Sequence, residues 1–247
     1  MSARPLPFLL VHGAWQGGWV WQRVADRLRA AGHAVFAPTL SGLGEKAHLA
    51  GPQIDLLTHV RDIVATIETE ELDDIVLCGH SYGGMVVTGV ADGLPRRIKA
   101  LVFLDAFIAQ AGKSLFDCQS PELAQRLQAE ARDHGEGWRI KPRPASYFRV
   151  ANPEDAARLD RSSVDQPIGC MATALPLTGA WQEIRHLVYI RAIGHKDGPF
   201  GRFTEQVRND PKWRYFEVPC GHQVMFDMPD ALAGILRETA AKAAAPG

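Results

Sequence analysis

Six short apolar runs alternate with longer stretches of helical periodicity, and this alternation restricts the fold more than any other feature of the chain. Each run is short and apolar almost throughout, which predicts a buried strand. The predicted strands are Phe8–Val11, Ala34–Ala37, Ile75–Cys78, Ala100–Leu104, Leu187–Ile193 and Arg214–Val218. Such strands are typical of sheets covered by helices on both faces, and alternation with helices implies crossover connections. The order therefore predicts an α/β fold with a mostly parallel sheet of about six strands.

The stretches between and after these runs predict helices at Trp19–Ala31, Ile54–Thr69, Tyr82–Gly93 and Pro229–Ala244. Asp227 is predicted to cap the last helix, because Pro229 suits its first turn. From Ala106 to about Ala180 the strand and helix rhythm is broken by polar helical pieces and scattered prolines. The length of 247 residues suits one domain, 1–247, and we predict that residues 107–180 form a small helical cap insertion within it.

Composition restricts the class of protein. The formal net charge is −1, and basic residues do not cluster with aromatic ones, so we expect no nucleic-acid partner. The apolar run that begins at Pro7 ends too soon for a signal peptide, and we expect a cytoplasmic protein without a membrane partner. The four cysteines form no C-x-x-C pair, which predicts buried thiols and no metal site. The oligomeric state stays open, with a homodimer among the alternatives.

A G-x-S-x-G motif at Gly79–Gly83 is the most specific chemical signal in the chain. It follows a predicted strand directly and opens a helix, which is the context in which this motif forms a sharp turn that exposes its serine. The helix also directs its N-terminal amides and the positive end of its dipole towards an oxyanion. The motif therefore predicts that Ser81 is a nucleophile.

A serine hydroxyl needs a base to take its proton, and nine histidines compete for that role. His222 is the best placed, because it lies between the last predicted strand and the last helix. The chain order of nucleophile, acid and histidine also agrees with this assignment. His12 and His80 belong to glycine motifs, and we expect them to orient loops. We expect structural roles for the remaining histidines without a chemical partner in sequence: His33, His48, His59, His134 and His186.

The negative charge of a tetrahedral intermediate needs hydrogen-bond donors. We predict that the backbone amide of Tyr82 supplies one of them. The second is predicted to be the amide of Ala14, in the loop that follows the first strand, where a small side chain lets a carbonyl approach. These two amides would form an oxyanion hole.

A carboxylate is needed to hold the histidine in the correct tautomer. Asp105 stands at the end of a buried apolar strand, where a carboxylate requires a hydrogen-bonding partner. Asp197 follows the next long strand, but it is displaced from the strand end and flanked by a lysine. We therefore favour Asp105 as the acid and keep Asp197 as the alternative.

The motif residues resemble those of a known group of enzymes. The segment Leu10–Trp19, the motif Gly79–Gly84 and the pair Gly221-His222 resemble the plant methylesterase and hydroxynitrile lyase branch of the α/β hydrolases, together with its bacterial carboxylesterase relatives, including pyrethroid-type esterases. The resemblance implies an α/β-hydrolase fold and a cofactor-free serine esterase. It also implies catalytic roles for Ser81 and His222 and an oxyanion held by Ala14 and Tyr82.

The resemblance has two informative departures. Lyases of this branch carry a threonine after the first-loop histidine and a lysine after the catalytic one, whereas this chain has Gly13 and Gln223, which argues against cyanohydrin cleavage. The plant enzymes carry their acid after the penultimate strand, where alignment places His195 here. That departure is a second reason to favour Asp105 over Asp197.

These observations predict a hydrolase of small to medium hydrophobic alkyl or aryl esters, with a small-molecule ester as its partner. Apolar residues of the predicted cap either line an acyl or aryl pocket or close the cap onto the core: Phe107, Phe116, Trp138, Tyr147, Phe148, Met171, Leu175 and Trp181. Two alternatives remain open. One is a hydroxynitrile lyase, and the other is a receptor that binds ligand or turns it over slowly on the same fold.

Overall fold

The computed structural model describes residues 5–196 and 198–245. Its strands are β1 (Phe8–Val11), β2 (Val35–Phe36), β3 (Ile75–His80), β4 (Ile98–Leu104), β5 (Arg139–Ile140), β6 (Gln166–Pro167), β7 (His186–Ala192) and β8 (Trp213–Val218). Six of them form one sheet in the order β2-β1-β3-β4-β7-β8, and every pairing in that sheet is parallel. The predicted α/β fold with six parallel strands is confirmed. Strands β5 and β6 form a separate antiparallel pair that the sequence did not predict.

The α-helices are α1 (Gln22–Ala30), α2 (Leu56–Thr69), α3 (Gly83–Gly93), α4 (Pro121–His134), α5 (Pro153–Ser162), α6 (Gly169–Ala172), α7 (Gly201–Arg208), α8 (Val224–Asp227) and α9 (Pro229–Ala244). Short 3₁₀ helices lie at Gly18–Trp21, Gly44–Leu49, Pro95–Arg97, Phe116–Cys118 and Ala180–Glu183. The helix predicted from Trp19 begins at Gln22, because a 3₁₀ turn precedes it. Between residues 107 and 180, α4 packs against β5 and α6 packs against β6. Helix α5 is instead joined to α1 by an ion pair between Asp155 and Arg23.

Alternate residues of the strands face two separate hydrophobic clusters, one on each side of the sheet. In β1, Leu9 and Val11 pack with α2 and α3, whereas Phe8 and Leu10 pack with α1 and α9. Helices therefore cover both faces, as predicted. Of the four cysteines, Cys78, Cys118 and Cys170 are buried as predicted, and Cys220 is half-buried.

The predicted N-cap of the last helix is wrong. The residue that precedes α9 is Met228, which makes no side-chain capping bond, and Asp227 is the last residue of the short helix α8. The Asp227 carboxylate instead accepts a hydrogen bond of 3.0 Å from the Ala151 amide. A short helix inserted immediately before α9 thus moves Asp227 out of the capping position.

The register of the parallel strands brings chemically important residues to one edge of the sheet. His80 pairs with Leu104, and Leu104 pairs with Ile190, so the next residues, Ser81, Asp105 and Arg191, lie side by side at the carboxyl ends of β3, β4 and β7. This edge is where ligands bind in open parallel sheets. None of the described helices is both long and apolar enough to cross a bilayer.

Candidate active site

Ser81 lies on a tight turn between β3 and α3. Its φ angle is +55°, which non-glycine residues rarely adopt. The two motif glycines permit this turn, because a Cβ atom at Gly79 would lie 2.5 Å from the Gly83 carbonyl oxygen and a Cβ at Gly83 would lie 2.7 Å from that of His12. The surrounding backbone thus holds a strained residue, which is common at functional sites. The Ser81 side chain lines a cavity that His222 also lines.

His222 lies in the loop between β8 and α8, and only 2% of its surface is exposed. Its ring stacks with the rings of both Phe148 and Phe200, at centroid distances of 5.5 and 5.1 Å. Its amide donates to the Phe148 carbonyl at 2.9 Å, and its carbonyl accepts a bond of 3.0 Å from Nε2 of His80. Both the ring and the backbone of His222 are therefore held in place.

Asp105, at the end of β4, is fully buried and has a φ angle of +41°. Its Oδ2 accepts a hydrogen bond of 2.6 Å from Nδ1 of His222. Its Oδ1 accepts from the Arg191 guanidinium and, at 3.2 Å, from the Ala192 amide. Because Nδ1 of His222 donates to Asp105, Nε2 is the ring nitrogen left as an acceptor.

The structure brings together Ser81, His222 and Asp105, the three residues that the sequence singled out. The alternative acid, Asp197, lies outside the described residues. His195, which takes the position of the plant-type acid in the alignment, is buried beside the same carboxylate, with Nδ1 3.9 Å from Asp105 Oδ2. Its ring centroid lies 5.1 Å from that of His222.

Burial controls the ionisation of this cluster. It lowers the pKa of His222 well below the ordinary histidine value, and the neighbouring His195 and Arg191 lower it further. Burial raises the pKa of Asp105, while the charge and hydrogen bond of Arg191 act in the opposite direction. His222 is therefore neutral near pH 7, the state in which it can accept a proton.

The oxyanion residues predicted from sequence both line the cavity: Ala14 and Tyr82. Trp15 holds the Ala14 loop to the segment around the β5–β6 pair, since its amide donates to Gln166 Oε1 at 2.9 Å and its indole Nε1 donates to the Ile140 carbonyl at 3.0 Å. Sequence reasoning missed Gln166, because its partner is 151 residues away along the chain. Whether the two amides bind an oxyanion stays a prediction.

Two further histidines support the loops around the site. Nε2 of His12 accepts from the Leu40 amide at 3.1 Å, and its Nδ1 contacts the Gly13 carbonyl at 2.8 Å, while His80 holds the His222 backbone. Both agree with the predicted loop-orienting roles. Sequence reasoning missed the contact of His59 Nδ1 with the Tyr82 hydroxyl at 2.8 Å, which fixes the side chain beside the predicted oxyanion amide.

The cavity is small, about 70 Å³, and largely apolar in its lining. Of the apolar residues considered from sequence, four line it: Phe107, Tyr147, Phe148 and Met171. The other four do not: Phe116, Trp138, Leu175 and Trp181. For example, Trp181 packs against Phe103 and Trp213 in the core. Both interpretations of these residues are therefore partly correct. A larger groove at the amino ends of the strands, lined by Asp74, Lys99 and His186, is remote from this cluster.

Asp105, His195 and His222 are close enough together to be considered as metal ligands, since one ligand atom from each lies within 4.8 Å of the others. However, both oxygens of Asp105 already accept hydrogen bonds, and one of the donors is the guanidinium of Arg191. A permanent positive charge at this position opposes the binding of a second cation. The contacts fit a hydrogen-bonded acid and base better than a set of metal ligands.

Sequence comparison assigns the chain to a family. The pattern of the Alpha/beta hydrolase family matches residues 8–235, which is most of the chain. The chain belongs to the alpha/beta hydrolase family. It is 43% identical over 235 residues to the carbendazim hydrolyzing esterase of Nocardioides sp. (strain SG-4G), a match that covers 92% of this hydrolase and 96% of that esterase.

Two other relatives match this hydrolase less closely in sequence. The alpha-hydroxynitrile lyase of Arabidopsis thaliana is 36% identical over 104 residues, covering 41% of this chain and 40% of the lyase. An extracellular alpha/beta-hydrolase from a Paenibacillus species superposes with a TM-score of 0.83 at 26% identity, over 95% of this chain and 99% of that one. The resemblance to the methylesterase and hydroxynitrile lyase branch and its bacterial esterase relatives is confirmed. The predicted enzyme class, a serine hydrolase of the carboxylesterase type, is confirmed as well.

Proposed function

We propose that this hydrolase cleaves carboxylic esters through an acyl-enzyme formed on Ser81, with His222 as general base and Asp105 as the acid behind it. One observation carries the proposal: the 2.6 Å hydrogen bond between His222 Nδ1 and Asp105 Oδ2, made by a histidine that lines the same cavity as Ser81. With Nδ1 bound to Asp105, Nε2 is the ring nitrogen of His222 that remains to take a serine proton.

In the proposed reaction, the Ser81 hydroxyl attacks the ester carbonyl while His222 takes its proton. The amides of Ala14 and Tyr82 stabilise the oxyanion, and the imidazolium of His222 is stabilised by the Asp105 carboxylate. Collapse of the intermediate transfers that proton to the departing alcohol and leaves an ester of Ser81. Water, deprotonated by the same histidine, then releases the carboxylic acid and restores Ser81.

The shape of the cavity supports a small or medium apolar ester as the substrate. Phe107, Phe148 and Met171 offer an apolar surface beside Ser81. The volume of about 70 Å³ is roughly half that of the ~150 Å³ engineered protein cavity that admits benzene. A short acyl or alkoxy group therefore suits the enclosed part of the site, and the rest of a larger substrate would extend towards its mouth.

A series of p-nitrophenyl esters with increasing acyl length tests this substrate class. We expect steady release of p-nitrophenol, with kcat/KM highest for the acetate or butyrate ester and lower for the octanoate ester. The reason is that a longer chain would have to displace the aromatic lining of the cavity. A steady rise in kcat/KM from acetate to octanoate would contradict the proposed small pocket.

The pH dependence of kcat/KM offers a second test. Only the neutral imidazole of His222 can take the serine proton, and burial lowers the pKa of this group. Activity is therefore expected to persist below the ordinary histidine value of about 6.5 and to be lost only as the pH falls through the lowered pKa. Rates measured at constant ionic strength would give the midpoint, and a midpoint well above 6.5 would contradict the proposed state of His222.

The two rival functions give different results in simple assays. A hydroxynitrile lyase would release cyanide from mandelonitrile faster than buffer does, and would lose this activity on replacement of Ser81 by alanine. A slow receptor would release at most one equivalent of p-nitrophenol per chain and then stop. We expect continued ester turnover and no cyanide release above the buffer rate.

A further inference from the structure

Arg191 is an unusual residue for the interior of this sheet. It lies at the end of β7, in an otherwise apolar run, and only 6% of its surface is exposed. Its Nη1 donates to Asp105 Oδ1 and to the Ala192 carbonyl, the latter at 2.7 Å, and its Nη2 donates to the His195 carbonyl at 2.8 Å. One guanidinium thus joins the acid of the proposed triad to the loop that follows β7.

Asp105 makes separate use of its two oxygens. Oδ1 receives Arg191 and the Ala192 amide, and this leaves Oδ2 for Nδ1 of His222. A fully buried carboxylate without a compensating charge tends to become protonated, because desolvation disfavours the ionised form. A protonated Asp105 would stabilise the imidazolium of His222 poorly.

We propose that Arg191 is a positioning residue that keeps Asp105 ionised and oriented towards His222. The positive charge of Arg191 would then set the acid limb of the profile of kcat/KM against pH, which is the pH range in which activity is lost on acidification. This inference rests on the proposed function, and it adds a residue that does not itself touch the substrate. The planar guanidinium can hold the carboxylate and two carbonyl groups at once, which a lysine ammonium cannot do with the same geometry.

The groups that face Asp105 come from several elements. His195 follows β7, His222 follows β8, and His80 ends β3. Each of these three histidines interacts with the Asp105 carboxylate through its charge or a hydrogen bond. Tyr189, on β7, and Cys220, ahead of His222, are influenced by its charge. Among the groups named here, Arg191 is the one that carries a permanent positive charge.

Removal of that charge is expected to raise the pKa of the coupled Asp105–His222 pair, since a positive neighbour favours the forms with fewer protons. We expect Arg191→Gln to shift the acid limb of the kcat/KM profile upward by about one pH unit or more. Its activity relative to the native enzyme should recover as the pH rises. Arg191→Lys should keep the limb near its native position but lower kcat about tenfold or more, with a smaller change in KM, because the charge remains while the oriented fork is lost.

The profiles should be measured with p-nitrophenyl acetate, alongside thermal unfolding of each variant. Arg208→Gln is the matched control, because it removes the same charge from an exposed ion pair with Glu217 and should leave the limb in place. A limb that stays fixed in a folded Arg191→Gln, with activity lowered equally at every pH, would overturn the proposal. If Arg191→Gln does not fold, Arg191→Lys decides, and native kcat in that variant would overturn it.

Failure of this inference is distinguishable from failure of the proposed function. If Ser81→Ala retains native ester turnover, the esterase mechanism is wrong whatever Arg191 does. If Ser81→Ala is inactive and the acid limb of Arg191→Gln does not move, the mechanism stands and only the role of Arg191 is wrong.

Discussion

Replacement of Ser81 by alanine is expected to lower kcat for p-nitrophenyl acetate by about 10⁴-fold or more, because the variant cannot form an acyl-enzyme. Binding of the ester should change little, since the cavity wall loses only one oxygen atom. Stopped-flow and steady-state release of p-nitrophenol would measure both effects. The residual rate should approach that of solution hydrolysis, apart from the contribution of the oxyanion donors.

Ser162→Ala is a suitable control for this experiment, because Ser162 ends α5 and does not line the cavity. It should keep native turnover. A serine-directed organophosphate should also label the native protein at Ser81, and mass spectrometry of its peptides would locate the adduct. Native rates in Ser81→Ala, or an adduct on a different residue, would rule out the proposed nucleophile.

The second large effect is expected from Asp105→Asn. An asparagine at this position can present its amide group to Nδ1 of His222 and so favour the wrong tautomer, which in the chymotrypsin-type triad lowers kcat by about 10⁴-fold. We expect a loss of similar size here. The substitution also leaves Arg191 buried without its charged partner, which costs about 3–5 kcal/mol of stability. Turnover must therefore be measured well below the unfolding temperature of the variant.

Asp197→Asn is the matched control for the acid, since Asp197 is the alternative that the sequence left open. We expect it to retain turnover within a few-fold of the native enzyme. The reverse pattern, with Asp197→Asn inactive and Asp105→Asn close to native, would transfer the role of the acid to Asp197. Thermal unfolding of both variants would separate a loss of catalysis from a loss of folded protein.

The local structure of the chain could be predicted from the sequence wherever a single segment determines it. The strand β1 and the bounds of α9 agree with the predicted Phe8–Val11 and Pro229–Ala244. The motif around Ser81 was equally clear, because a strand, a glycine turn and a helix follow one another within a few residues. The predicted capping role of Asp227, in contrast, was wrong. A short helix beside it changed the position of the residue without leaving a distinct local pattern.

The amino-acid sequence by itself determined the parallel α/β fold, the turn that exposes Ser81 and the short list of candidate bases and acids, since each depends on local patterns of apolar residues and glycines. Only the tertiary structure decided which carboxylate lies against His222, and it revealed Arg191 and Gln166 as the partners behind the site. These contacts join residues far apart along the chain. They arise from the register of neighbouring strands and the approach of distant loops, which no single segment encodes.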